Sequence, residues 1–176
     1  MSRPSDYLIE KLDPSRHDRA GFSCESEDLT RFLRERARKE MEAGASACFV
    51  LVEKAQPFSI QGYYTLSQAS VILRALPQDL GRKLPRYPEL GATLIGRLAR
   101  AIHQKGNGLG GLLLTDALRR SLRLSGQAGA VVVVTDPKDA HARGFYAKHG
   151  FRDLDDRRMF MSMASVRAMI PPEKAD

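Results

Sequence analysis

Two cysteines, Cys24 and Cys48, are all that this 176-residue chain holds. One pair cannot build a disulfide framework, and its spacing matches no common zinc pattern. Two reduced thiols in or near the core are expected. The four histidines, His17, His103, His141 and His149, show no metal-ligand spacing, so no metal is expected. Long apolar runs are missing too. The two longest, 47–52 and 128–134, fall far short of the ~20 residues that cross a bilayer. No apolar stretch follows the basic residue at the start, so no secretory signal is expected. Neither apolar run is long enough for a membrane-spanning helix, and the two lone cysteines suit a reducing cytoplasm.

Hydrophobic residues make up 43% of the chain and charged residues 28%, with both signs dispersed, which is enough apolar material for a core. The length fits one domain, expected over residues 1–170, with a loose tail at 171–176. Net charge is +7. An excess of this size attracts polyanions, but it does not separate nucleic acid from a phosphorylated cofactor or an acidic partner.

The pattern begins with a short strand at Tyr7-Leu8-Ile9. Ser26 then caps a helix whose first turn carries Glu27 and Asp28. Leu29, Phe32, Leu33, Ala37 and Met41 form its apolar stripe, and Gly44 ends it. Arg31, Arg34 and Arg38 fall on the other face, either as a solvated surface or as an RNA-facing ridge. Strands are expected at 47–53 and 60–67, with a turn at Gln56-Pro57-Phe58-Ser59 and a continuation at 71–76. Prolines and glycines make 77–91 irregular, with room for a short helix near 78–83. A strand at 93–101 leads through a Gly-rich loop into an amphipathic helix at 109–124. Residues 130–134 do not alternate and read as a strand buried on both faces. A helix at about 138–149 and a strand at 158–163 complete a mixed α/β order.

The loop Lys105-Gly106-Asn107-Gly108-Leu109-Gly110 lies between a strand and a helix. Helix N-termini present unpaired N–H groups and positive potential, and glycines let an anion approach them closely. Lys105 adds a cation, so the expected ligand is a pyrophosphate. The spacing G-x-G-x-G is not the Rossmann G-x-G-x-x-G, and no G-K-[ST] follows to make a P-loop.

That loop resembles the acetyl-CoA pyrophosphate loop, [QR]-x-x-G-x-[GA], of the GNAT acetyltransferases, with Lys105 in place of the usual Gln or Arg. The likeness extends over Phe22-Ser-Cys24, 29–33, Gly62-Tyr-Tyr-Thr-Leu-Ser67, Leu84-Pro-Arg-Tyr-Pro88, Gly96-Arg-Leu-Ala99, 116–119 and Phe145-Tyr-Ala-Lys-His-Gly-Phe151. These segments are similar to the GNAT toxins of bacterial type II toxin–antitoxin systems, which acetylate the α-amino group of aminoacyl-tRNA and block translation. Glu25 stands where the family usually has Gly, and Arg100 where it more often has an aliphatic residue.

The resemblance implies the GNAT acyl-CoA N-acyltransferase fold: a mixed, mostly antiparallel central sheet, splayed at the cofactor site and flanked by helices. It implies acetyl-CoA bound by Leu98, Ala99 and Arg100 through backbone groups and by Lys105, Gly106, Asn107, Gly108, Leu109 and Gly110. Thr135 and Asp136 line the opposite wall. Tyr146 is the implied general acid, since a phenol near pKa ~10 can return a proton to the leaving thiolate. Seven basic and two acidic residues lie between Arg74 and Lys105. For the tRNA, Arg86 and Arg97 come first, followed by Arg82, Lys83, Tyr87, Arg34 and Arg38. A cognate ribbon-helix-helix antitoxin and a homodimer are further implied partners. Two other functions stay open on these residues: a GNAT acting on a small amine or protein N-terminus, and a non-catalytic acetyl-CoA-binding module for RNA or a partner.

Overall fold

The computed structural model describes residues 2–171; the end of the expected tail, 172–176, lies outside them. Seven strands follow the order β1-β2-β3-β4-β5-β7-β6. They are β1 (Tyr7–Lys11), β2 (Ala47–Glu53), β3 (Gln56–Ile72), β4 (Glu89–Arg100), β5 (Val132–Thr135), β6 (Arg152–Asp153) and β7 (Met159–Ser162). Only β4 and β5 pair in parallel among the registered ladders; β1/β2, β2/β3, β5/β7 and β6/β7 are antiparallel. The chain forms two compact units, 1–67 with 96–117 and 68–95 with 118–176.

In the first unit, Ser26 caps α1 (Glu27–Arg31), its hydroxyl accepting from the Leu29 N–H. The expected single helix carries a π turn at Phe32–Arg36, with the Ala37 N–H donating to the Phe32 carbonyl, before α2 (Ala37–Glu42). The stripe survives it: Phe32, Leu33 and Ala37 are buried and join Phe22, Val50, Val52, Ile60 and Tyr63 in one core. Each fully buried side chain of this size contributes ~1.5–3 kcal/mol. Cys48 lies in that core, where burial pushes its thiol up to about 12, and both cysteines are free. The turn expected at 56–59 is strand instead: the chain reverses at Lys54–Ala55, and Glu53 pairs with Gln56. Pro57 is tolerated because it sits near a strand end, where its missing N–H costs little.

In the second unit, Val132–Thr135 is buried throughout, as its unbroken apolar run requires. Its ladder with β4 runs from Ala92↔Val132 to Ile95↔Thr135. β4 begins at Glu89, four residues before the sequence suggests, and β3 ends at Ile72 in a short 3-10 turn at Leu73–Ala75. Before β4 the irregular stretch holds the four-residue α3 (Gln78–Gly81). α5 (Ala140–Lys148) starts at an Asp139 cap. Two elements were not legible: β6, and α6 (Met163–Met169), where the Ser162 hydroxyl accepts from the Ser165 N–H and turns the end of the expected strand into a helix.

α4 (Leu109–Ala128) continues through Gly126 rather than stopping there. One glycine near a helix end costs only ~1 kcal/mol relative to Ala. No helix of the described residues is long and apolar enough to cross a membrane.

Candidate acetyl-donor and acceptor sites

β4 continues past its parallel ladder for five residues, Gly96–Arg100, which carry Leu98, Ala99 and Arg100. Gly62 of β3 lets this strand end come close. A Cβ there would stand 2.9 Å from Leu113 Cδ1 and 3.0 Å from the Ala99 carbonyl oxygen. The chain then passes a 3-10 turn, Ile102–Gln104, and enters the Gly-rich segment. Gly106 and Gly108 adopt φ +82° and +74°, and no heavy atom lies within 4 Å of a Cβ built at either. The segment therefore needs glycine for its conformation and leaves open space beside its backbone. It opens a twenty-residue helix, whose first-turn N–H groups have no intrahelical acceptor. The donor set fits a pyrophosphate: backbone N–H groups, a helix N-terminus, and the side chains of Lys105 and Arg100.

Gln61, which carries no local mark in the sequence, and Gln104, one position out of the loop pattern's register, organise this loop. Gln61 is buried on β3, and its Oε1 accepts from Gln104 Nε2 and pairs with His103 Nε2, both at 2.8 Å. The Gln61 amide nitrogen donates to Ser59 Oγ at 2.9 Å, which fixes which end of the amide faces the loop. His103 must then carry its proton on Nε2. Gln104 Oε1 in turn accepts from Asn107 Nδ2 at 2.8 Å, so a polar relay runs from the sheet into the turn. Gln61→Leu leaves the buried Gln104 amide unsatisfied, which costs about 1–3 kcal/mol. Thermal unfolding should fall by several degrees, and the KM for acetyl-CoA should rise while kcat changes less. An unchanged melting temperature would show that the relay does not organise the loop.

Glu25, the residue that departs from the Gly pattern, has its carboxylate at the loop. Its Oε1 lies 3.2 Å from Lys105 Nζ and its Oε2 3.9 Å from an Arg100 guanidinium nitrogen.

In the second unit Tyr146 is 6% exposed, with its ring edge-on to Phe145 and Phe151 at centroid distances of 5.2 and 5.3 Å. Burial pushes its phenol above the ordinary value, and a hydrogen bond with the Thr135 side chain acts the other way. Thr135 is itself buried and donates to the Ile95 carbonyl at 3.1 Å. The Thr135 bond to the phenol favours the charged form, but burial is the larger effect and keeps the phenol protonated. Asp136 is held at both oxygens by Arg158, at 2.7 and 3.0 Å. The sequence offered no sign of that pair.

The basic candidates divide. Arg97 lies 3.6 Å over the Phe32 ring, with Glu40 at 3.7 Å, on the helix that carries Arg34 and Arg38. Arg34 donates through Nε to the Phe22 carbonyl at 2.9 Å, and Arg38 pairs with Glu42 at 3.2 Å. Arg82, Lys83, Arg86 and Tyr87 belong to the second unit and are all exposed, Tyr87 at 64%.

The fold is the one found in GNAT-type toxins. A crystal structure of a tyrosine-to-phenylalanine mutant of KacT matches with a TM-score of 0.86 and 25% identity, covering 93% of this chain and 99% of that one. AtaT complexed with acetyl-methionyl-tRNAfMet matches at 0.85 and 23%, covering 94% and 100%. An AtaT mutant bound to the C-terminus of the antitoxin AtaR and acetyl-CoA matches at 0.78 and 20%, covering 93% and 98%. In sequence, the chain is 31% identical over 172 residues to a probable toxin TacT of Sinorhizobium fredii, covering 93% of this chain and 94% of the relative. It is 29% identical over 168 residues to a tRNA-acetylating toxin of Mycobacterium tuberculosis, covering 94% and 98%. The chain belongs to the TacT toxin family. No family model matches it.

Proposed function

We propose that this chain transfers acetyl from acetyl-CoA to the α-amino group of aminoacyl-tRNA, and so blocks translation as the toxin of a toxin–antitoxin pair. The observation that carries the reading is the open glycine turn at the head of α4, flanked by Lys105 and Arg100 and braced by Gln61 and Gln104. The family supplies the acceptor: one relative is a tRNA-acetylating toxin, and the solved neighbour AtaT binds acetyl-methionyl-tRNA. The proposed compartment is the cytoplasm, where charged tRNA is available and thiols such as Cys24 and Cys48 stay reduced. A cognate antitoxin of ribbon-helix-helix type is the proposed partner, by analogy with the antitoxin bound to AtaT.

The donor supplies an activated acetyl thioester. Gly106, Asn107, Gly108, Leu109 and Gly110 hold its pyrophosphate through backbone N–H groups, with Lys105 beside them. Leu98, Ala99 and Arg100 offer main-chain groups to the pantetheine arm, one N–H polarising the carbonyl under attack. Tyr146 holds a proton at its phenolic oxygen for the departing sulfur, and Thr135 orients that phenol. Asp136, held by Arg158 at the end of β5, is the proposed opposite wall with Thr135. Arg97 and Arg86 meet tRNA phosphates, with Arg82, Lys83, Tyr87, Arg34 and Arg38 extending the surface.

Incubation with acetyl-CoA and charged tRNA should yield acetylated aminoacyl-tRNA. Turnover of a free amine with no acetylated tRNA would instead identify a small-amine acetyltransferase. The initial rate should rise with pH as the α-amine, of ordinary pKa ~7.7–8.0, loses its proton. A general acid works below its own pKa, and burial raises that of Tyr146. The rate should therefore hold up to at least pH ~10, the ordinary phenol value. A fall beginning between those limits would contradict the role of Tyr146.

A further inference from the structure

Three residues depart from the family pattern, Glu25, Arg100 and Lys105, and the fold brings all three together. One carboxylate serves both cations, Oε1 toward Lys105 at 3.2 Å and Oε2 toward Arg100 at 3.9 Å. Arg100 ends β4 and Lys105 opens the glycine turn, so the pair brackets the segment that leads from the strand end to the phosphate cradle. Glu25 itself stands just before the Ser26 cap of α1, apart in the chain from β4 and the glycine turn.

A carboxylate at this place acts in two opposing ways. It relieves repulsion between two cations five residues apart and holds them near the turn. It also occupies, with negative charge, the two side chains that would otherwise meet an incoming phosphate. Exposure decides which effect is larger. The Lys105 side chain is 73% exposed and that of Glu25 50%, and Arg100, though only 24% exposed, meets Glu25 at a long 3.9 Å, so pairing adds little order to the free protein. The phosphates of the donor carry several negative charges, and their repulsion from a carboxylate a few ångströms away is the larger effect.

Resting on the acetyl-CoA reading above, we propose that Glu25 is a built-in counter-ion which competes with the donor's phosphates for Lys105 and Arg100 and thereby sets the affinity for acetyl-CoA. In this chain the added cation at 100 and the added anion at 25 compensate each other, beside the cation at 105. The protein keeps a basic cradle without binding CoA so tightly that product release slows.

The test is the equilibrium dissociation constant by calorimetry for acetyl-CoA, CoA and the phosphate-free donor S-acetylpantetheine, with the wild-type chain and Glu25→Gln. An exposed pair of this kind predicts about two- to fivefold tighter binding of acetyl-CoA and CoA to the variant. That gain should shrink as salt is raised toward ~1 M, where the screening length is ~3 Å. S-acetylpantetheine should bind both proteins equally. Unchanged or weaker binding of acetyl-CoA to Glu25→Gln overturns the proposal, as does an equal gain with S-acetylpantetheine. Failure of the wild-type chain to bind acetyl-CoA at all overturns the donor reading itself, and this inference with it.

Discussion

Tyr146→Phe should leave a folded protein that has lost most of its acetyl transfer. The ring is what packs, edge-on to Phe145 and Phe151, and phenylalanine keeps it. Thr135 still donates to the Ile95 carbonyl when the phenol is gone, so no buried donor is stranded. The loss of one neutral hydrogen bond costs ~0.5–1.5 kcal/mol. A positioned general acid is worth ~10²–10⁴ in rate. The expected result is a melting temperature within a few degrees of wild type and a drop of at least about 100-fold in kcat, on the same principle. Binding of acetyl-CoA should change little, because the phenol acts on the leaving group. Single-turnover transfer of labelled acetyl to charged tRNA measures this directly. A variant that retains near-full activity would remove Tyr146 from the chemistry and leave it as packing.

Gly108→Val should weaken acetyl-CoA binding on the order of 100-fold while sparing most of the fold. The backbone there has φ +74°, and a β-branched residue in that region carries a cost of ~1–3 kcal/mol. No protein atom lies within 4 Å of the built Cβ, so the added side chain meets open space rather than a neighbour. That space is where a phosphate would approach the backbone. The substitution thus strains the turn and fills its cradle together. The expected affinity loss is on the order of 100-fold, from ~3 kcal/mol of strain and lost anion contacts. Calorimetry with acetyl-CoA, alongside a thermal melt, separates the two effects. Binding at wild-type strength would show that the turn is not the phosphate site.

Much of the molecule was legible before any coordinates. The apolar stripe of Leu29, Phe32, Leu33 and Ala37, the buried run 132–134, the cap at Ser26 and the glycine turn at 106–110 all follow from local rules. Helix periodicity, unbroken apolar runs and positive φ act over a few residues, so a single sequence reveals them. Boundaries were less secure. Pro57 and Phe58 look like a turn in isolation, and only the pairing of Glu53 with Gln56 shows that they belong to β3. Ser162 could have ended a strand silently, but its hydroxyl caps a helix.

The sequence by itself determined the order of the elements up to α5, the need for glycine at 106 and 108, the family resemblance and the candidacy of Tyr146. Tertiary structure alone decided what braces and balances these parts. Gln61 reaches Gln104 across 43 positions, Arg97 lies over Phe32, and Arg158 locks Asp136. The physical reason is range. Such contacts depend on strand register and on which elements pack together, and a polar side chain carries no local mark of its distant partner. The glycine turn could be read residue by residue, whereas the contact of Glu25 with Lys105 exists only once the segment before α1 has folded against the end of β4.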